Sequence, residues 1–195
     1  MIEQCTAIGS LGVWIIRACW AVFAVVWIAG SLYNRRHAAP VAQRSDRRWL
    51  LFVFGVAGVV AVAPHTTWRV FHLCEGRVQV IGAVLLIVGT AFALWARVVL
   101  GTMWSSVPLQ RTGHELRTTG PYAITRHPIY TAIISMLIGT ALLDGVGVWL
   151  PFLLAAVSGL VFKLRAEERL MRAAFGDAYR EYAKRVPALV PWPRR

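Results

Sequence analysis

Arg126, His127 and Pro128 stand in a row, four residues after Tyr122 and two before Tyr130, and a second polar group, Arg165, Glu167 and Glu168, follows about forty residues on. Taken singly, each has an ordinary role. His127 suits a structural histidine at an interface, Tyr122, Tyr130 and Trp104 suit an aromatic belt, and Gly120-Pro121 is a turn. Arg165, Glu168 and Arg172 fall at i, i+3 and i+7, where helix-surface ion pairs form. Together they offer fixed cations, carboxylates, an imidazole and aromatic rings. The next residues after Pro128, "IYTAIISMLIGTALL", are almost wholly apolar. Polar equipment at the doorway of an apolar segment suits a polar cofactor and a lipid-tailed substrate.

The elements that must position these residues are membrane helices. Hydrophobic residues make up 57% of the 195 and charged residues 15%, with nine tryptophans, and the apolar residues come in blocks. The fold class this implies is all-α: a polytopic membrane protein with about five transmembrane helices and a C-terminal amphipathic helical segment, in one domain over 1–195. The expected spans are 11–33, 49–63, 78–100, 129–143 and 148–162. The last two, joined by "DGVG", form a short hairpin that returns Glu167 and Glu168 to the face where Arg126 and His127 lie. Beyond it, Met171, Phe175, Ala178 and Tyr182 form an apolar seam with Glu168 on its continuation, and Arg165, Arg169, Arg172 and Arg180 form a basic stripe suited to anionic lipid headgroups. Gly176-Asp177 reads as a helix stop and a new N-cap, with a second short helix over 178–185.

Charge sets the expected orientation. Residues 34–48 hold five arginines, 97–126 four, and 163–195 nine Lys and Arg, against Arg17, Arg69 and Arg77 on the other side. The positive-inside rule makes the basic face cytoplasmic, with the N-terminus outside and the C-terminus inside. The net charge of +12 therefore reads as orienting and lipid-facing rather than as a nucleic-acid footprint. Cys5, Cys19 and Cys74 have no metal or redox spacing, so no metal is expected. No basic stretch precedes the first apolar run, so no cleavable targeting segment is expected.

"GPYAITRHPIY" followed by "FKLRAEERLMRAAFGDAYREYAKRVPALVPW" resembles the isoprenylcysteine carboxyl methyltransferase family and its wider kin of membrane methyltransferases. The resemblance rests on Gly120 and Tyr122, the run Arg126-His127-Pro128-Ile129-Tyr130, the pair Glu167-Glu168, and Phe175-Gly176 with Tyr179 and Tyr182. Leu100-Gly101 with Trp104-Ser105 matches an element of bacterial members. It covers about residues 98–192, within a methyltransferase-like core over 78–195; the helices over 11–77 carry no matching motif. The resemblance implies S-adenosylmethionine as methyl donor, a lipophilic or prenylated acceptor, and a bacterial inner membrane. By motif position it assigns Tyr122, His127, Pro128, Tyr130 and Glu167 to the cofactor, and Arg126, Arg165 and Glu168 to the reacting groups.

Methyl transfer from a sulfonium demands alignment more than acid–base chemistry. A carboxylate acceptor is already ionised, and Arg165 or Arg126 could hold it by paired hydrogen bonds. An amine or phenol would need a proton removed, with His127 or Glu168 as base. A phospholipid or amine N-methyltransferase, a nicotinamide-dependent membrane reductase and a non-enzymatic membrane adaptor stand as alternatives.

Overall fold

The structure, a computed structural model, describes residues 9–37, 41–44, 55, 58, 75–101, 109–111 and 116–190. Its elements are α1 (Gly9–His37), β1 (Val41–Arg44), α2 (Gly76–Leu100), β2 (Leu109–Arg111), the single turn α3 (Pro121–Ile124), α4 (Pro128–Asp144) and α5 (Val146–Arg185). Among the described residues three helices are long and apolar enough to cross a membrane, α1, α2 and α5; α4 is a shorter apolar helix. Helices α1, α2 and α5 thus cover the first, third and fifth expected spans, and the fourth is covered by α4, which is shorter than those three. The second, over 49–63, lies outside the described residues apart from Gly55 and Gly58. One feature was not expected: β1 and β2 pair antiparallel, joining the basic stretches that follow α1 and α2.

The hairpin link is tighter than "DGVG" suggested. Only Gly145 separates α4 from α5, with φ 94° and ψ 134°, a conformation that disfavours any side chain. Pro128 opens α4 at its first turn, where its missing N–H costs nothing. The fifth span does not stop at Phe162. Lys163, Leu164, Arg165, Ala166, Glu167 and Glu168 are good helix formers, and α5 carries on through them to a break at Gly176 (φ 51°, ψ −120°) before its last turns. At 1.5 Å per residue, Glu167 lies about 32 Å along α5 from Val146, roughly one hydrocarbon thickness. Measured along the helix, the two glutamates thus lie one such thickness from the hairpin link, and α5 runs on past them.

The core is the seam between α2 and α4. Leu86 and Met136 are fully buried there with Leu143, and Ile15, Ile16, Cys19, Trp20 and Phe23 of α1 pack against them. Trp20 Nε1 donates to Thr140 Oγ1 at 3.1 Å, and Ser135 Oγ donates to the Leu85 carbonyl at 3.0 Å. Small residues let the two backbones approach, since helices in lipid associate by packing and hydrogen bonds rather than by water exclusion. A Cβ on Gly139 would lie 2.6 Å from the Gly82 carbonyl oxygen and 2.7 Å from the Leu86 nitrogen, both main-chain atoms. Gly139→Ala is thus expected to force the helices apart and cost about 1–3 kcal/mol, lowering the melting temperature in detergent by several degrees. Gly89→Ala meets first the rotatable Ser135 hydroxyl, at 3.1 Å, and should lose less. Equal melting of Gly139→Ala and wild type would contradict this packing.

Candidate functional site

The hairpin brings the two polar clusters together at its open end. Arg126 and His127 precede α4, and His127 is its N-cap; Glu167 and Glu168 lie on α5. Arg126 Nε and Nη2 each approach Glu168 Oε1 at 2.8 Å. Arg126 Nη1 donates to the main-chain carbonyls of Ala183, at 2.8 Å, and Val186, at 3.0 Å. Glu168 takes further contacts from His127 Nε2 (3.3 Å), Tyr179 OH (3.0 Å) and Arg172 Nη2 (3.0 Å). Both the Arg126 and Glu168 side chains are more than nine-tenths buried. This is a closed network: every nitrogen of the guanidinium has a partner, and both oxygens of the carboxylate are occupied.

Glu167 sits in a more open setting. Tyr130 OH donates to its Oε1 at 2.5 Å, and its Oε2 lies 3.5 Å from His127 Nδ1. The imidazole therefore lies between the two carboxylates and stacks parallel to the Tyr130 ring, with centroids 5.5 Å apart. Lys163, one turn before Glu167, holds its ammonium 5.2 Å from the centre of the same tyrosine ring.

The electrostatics follow from the partners. Burial alone would push the Glu168 carboxyl up, but hydrogen bonds from His127 and Tyr179 and the charge of Arg126 outweigh it and hold the pKa down at about 2. Burial likewise works against a charged His127, yet the hydrogen bonds and charges of Glu167 and Glu168 raise its pKa above the usual imidazole value. Tyr122 is pushed well above the ordinary phenol range, first by burial and then by the nearby Tyr182 and Glu167; it remains a neutral hydroxyl. Its own carbonyl accepts a 2.6 Å hydrogen bond from Tyr182 OH.

The sequence-predicted residues thus divide. Tyr122, Arg126, His127, Pro128, Tyr130, Glu167 and Glu168 come together. Arg165 does not join them: it is exposed on α5 and makes no hydrogen bond or ion pair among the described residues. Arg126 and Glu168, expected beside the reacting groups, are turned inward upon each other. Trp104 and Ser105 lie outside the described residues. Sequence reasoning passed over Lys163, although it sits one turn from Glu167, at i−4; the helix-surface ion pair that the spacing offered between Glu168 and Arg172 does form, at 3.0 Å. The carbonyls of Ala183 and Val186 could not be found that way, because a main-chain acceptor leaves no mark on residue type.

Fold and site together define an integral, multi-pass membrane protein with a cluster of charged side chains at the mouth of a helical hairpin. Residues 78–178, more than half the chain, match the family model described as phospholipid methyltransferase, and the chain belongs to that family. It is 37% identical over 79 residues to the protein-S-isoprenylcysteine O-methyltransferase of Schizosaccharomyces pombe, a match covering 40% of this chain and 34% of that protein. It is 32% identical over 92 residues to the methanethiol S-methyltransferase of Mycobacterium tuberculosis, covering 47% and 36% respectively. It is 33% identical over 118 residues to the nickel-cobalt-cadmium resistance protein NccN of Alcaligenes xylosoxydans xylosoxydans, covering 57% of this chain and 52% of that protein; the chain thus spans between about a third and a half of the length of the curated relatives it matches. Its fold is similar to that of a eukaryotic isoprenylcysteine carboxyl methyltransferase, with a TM-score of 0.56 and 20% identity over 78% of this chain and 55% of that one.

Proposed function

We propose that this protein is an S-adenosylmethionine-dependent membrane methyltransferase acting on a lipophilic acceptor, with carboxyl O-methylation of an isoprenylcysteine-like group as the favoured reaction. The observation that carries the reading is Glu167. Tyr130 and His127 both contact its carboxylate, and the Lys163 ammonium stands over the same Tyr130 ring. These groups fit the methyl donor's own chemistry. A carboxylate accepts from an ammonium or from ribose hydroxyls, and a cation meets a carboxylate. S-adenosylmethionine supplies an electrophilic methyl on a sulfonium, which an ionised carboxylate takes up with no proton to remove.

The protein's part is then to bind and to align. Glu167, Tyr130, His127 and Lys163 hold the donor, with Tyr122 and Pro128 shaping the wall behind them. Arg126 and Glu168 position that set and stay clear of the substrate. Arg165 is the guanidinium left for an acceptor carboxylate. The same geometry disfavours an amine or phenol acceptor. Glu168 is held far too acidic to serve as a base, and the His127 nitrogens already face two carboxylates. We also propose five spans, with the hairpin mouth on the cytoplasmic side of a bacterial inner membrane and the N-terminus outside. The paired ribbon between the two basic stretches supports a common face for them, and the exposed Arg165, Arg169 and Arg180 suit anionic headgroups there.

The test is calorimetric binding of S-adenosylhomocysteine to the detergent-purified protein. Saturable binding is expected. Glu167→Gln, which keeps shape but loses the anion, should weaken it about 10- to 100-fold, the worth of one charge-assisted hydrogen bond, with melting little changed. His127→Ala should weaken it similarly. No binding by folded wild type would overturn the reading and move the weight to a nicotinamide-dependent reductase, tested next by titrating NADPH.

A further inference from the structure

Four consecutive main-chain carbonyls just beyond α5 all accept from the segment that carries Arg126 and His127. The Val186 oxygen takes Arg126 Nη1 at 3.0 Å, and the Pro187 oxygen takes the Arg126 N–H at 2.9 Å. The Ala188 oxygen takes the His127 N–H at 3.1 Å and Thr125 Oγ1 at 2.6 Å. The Leu189 oxygen takes Thr131 Oγ1 at 2.7 Å. Residues 186–189 thus form a strap that presents only acceptors here to a loop that presents only donors. Val186 anchors the strap in an apolar cluster with Tyr179 and Tyr182.

The two threonines flank the loop on either side. Thr125 is wholly buried, where a hydroxyl is tolerated only when it is hydrogen-bonded. The Thr131 hydroxyl also lies 3.3 Å from the His127 carbonyl oxygen, so it touches strap and loop together. Between them the N–H groups of Arg126 and His127 are held from outside the hairpin, while the His127 carbonyl is held from within α4 by the Tyr130 and Thr131 N–H groups.

We infer that Thr125 and Thr131 are positioning residues, which clasp the strap of residues 186–189 across the Arg-His-Pro loop and thereby set the His127 ring for the methyl donor. The inference rests on the proposed donor site. Its consequence is that the C-terminal strap is part of that site even though no side chain of it belongs to the charged cluster. Threonine suits the role because its branched body fills the gap at the loop's edge while its hydroxyl reaches the carbonyl.

The test pairs Thr125→Val/Thr131→Val, which keeps volume and removes both donors, with Thr125→Ser/Thr131→Ser, which keeps them. The double valine protein is expected to bind S-adenosylhomocysteine about tenfold more weakly, as two neutral hydrogen bonds would give, and the double serine protein should recover most of that. The His127 ring, which faces Glu167, Glu168 and the Tyr130 ring, should titrate in NMR closer to an ordinary imidazole in the valine protein. Thr140→Val, which loses a core hydroxyl of α4 bonded to Trp20 and Met136, serves as control: it should lower melting without moving affinity or titration. Wild-type affinity and wild-type titration in a folded double valine protein would overturn the clasp. Should the valine protein fail to fold, hydrogen exchange on the wild type decides: protected Arg126 and His127 amides support the clasp, and fast exchange of both overturns it. Exchange and titration need no ligand, so failure of the methyl-donor reading alone would show as absent binding with both intact.

Discussion

Glu168→Ala should be among the most damaging single substitutions in this protein. It removes the carboxylate that meets Arg126 at two nitrogens, along with His127, Tyr179 and Arg172, and leaves a buried guanidinium without its anion. Breaking a buried ion pair from one side costs about 3–5 kcal/mol, because the remaining charge stays desolvated. The protein should melt well below wild type in detergent and bind S-adenosylhomocysteine poorly. Glu168→Gln keeps an acceptor oxygen and should fall between. Acidity gives a second handle on the same group. A carboxyl held at about 2 in the folded protein, against an ordinary value near 4.5, contributes stability that is complete above 4.5 and lost as pH falls from there through 2. His127 works in the opposite sense: its raised pKa contributes stability that is complete below about 6.5 and lost as pH rises through the folded value. Melting temperature against pH should therefore pass through a maximum on the mildly acidic side of neutral. In Glu168→Gln the acid limb should flatten and the alkaline limb shrink. An unchanged profile in the glutamine protein would show that Glu168 is not the hub the geometry makes it.

That hub was legible in parts. The sequence placed Arg126-His127 and Glu167-Glu168 at one mouth because a short apolar hairpin has to return to the face it left. Gly176 was readable as a break because glycine followed by aspartate can end one helix and cap the next. The end of α5 was not readable from hydropathy. The apolar run stops at Phe162, but helix propensity continues through Lys163–Glu168, and a helix ends where its hydrogen bonding ends rather than where it leaves the lipid. The closeness of α2 and α4 was hidden for another reason. Gly82, Gly89 and Gly139 are three among sixteen glycines, and nothing in residue type says which two face each other. The division of labour within the pair Glu167-Glu168 was hidden as well. Adjacent residues on a helix point about 100° apart. Which of them meets the buried arginine and which faces the open side depends on the rotation of α5 against α4, fixed by contacts far along both helices.

Arg126→Lys separates the two roles an arginine in this motif could have. If Arg126 held the acceptor's carboxylate, lysine would raise the acceptor KM and leave donor binding and melting near wild type. The geometry supports the other outcome. Nε and Nη2 are spent on Glu168 and Nη1 on two carbonyls, one in the last turn of α5 and one in the strap beyond it. An ammonium offers three donors from a single point and cannot span a carboxylate on one side and two carbonyls on the other. In Arg126→Lys at least one of those acceptors should be left unpaired in a buried setting, at about 1–3 kcal/mol for each. Melting should fall, S-adenosylhomocysteine affinity should drop about tenfold or more, and the acceptor KM measured at saturating donor should hold close to wild type. Combining the change with Glu168→Gln provides the cross-check. The two losses should be far from additive, because each variant removes the same pair. Additive losses together with a raised acceptor KM would return Arg126 to the substrate. Non-additive losses with the acceptor KM unchanged would leave Arg165 as the guanidinium to test against the acceptor.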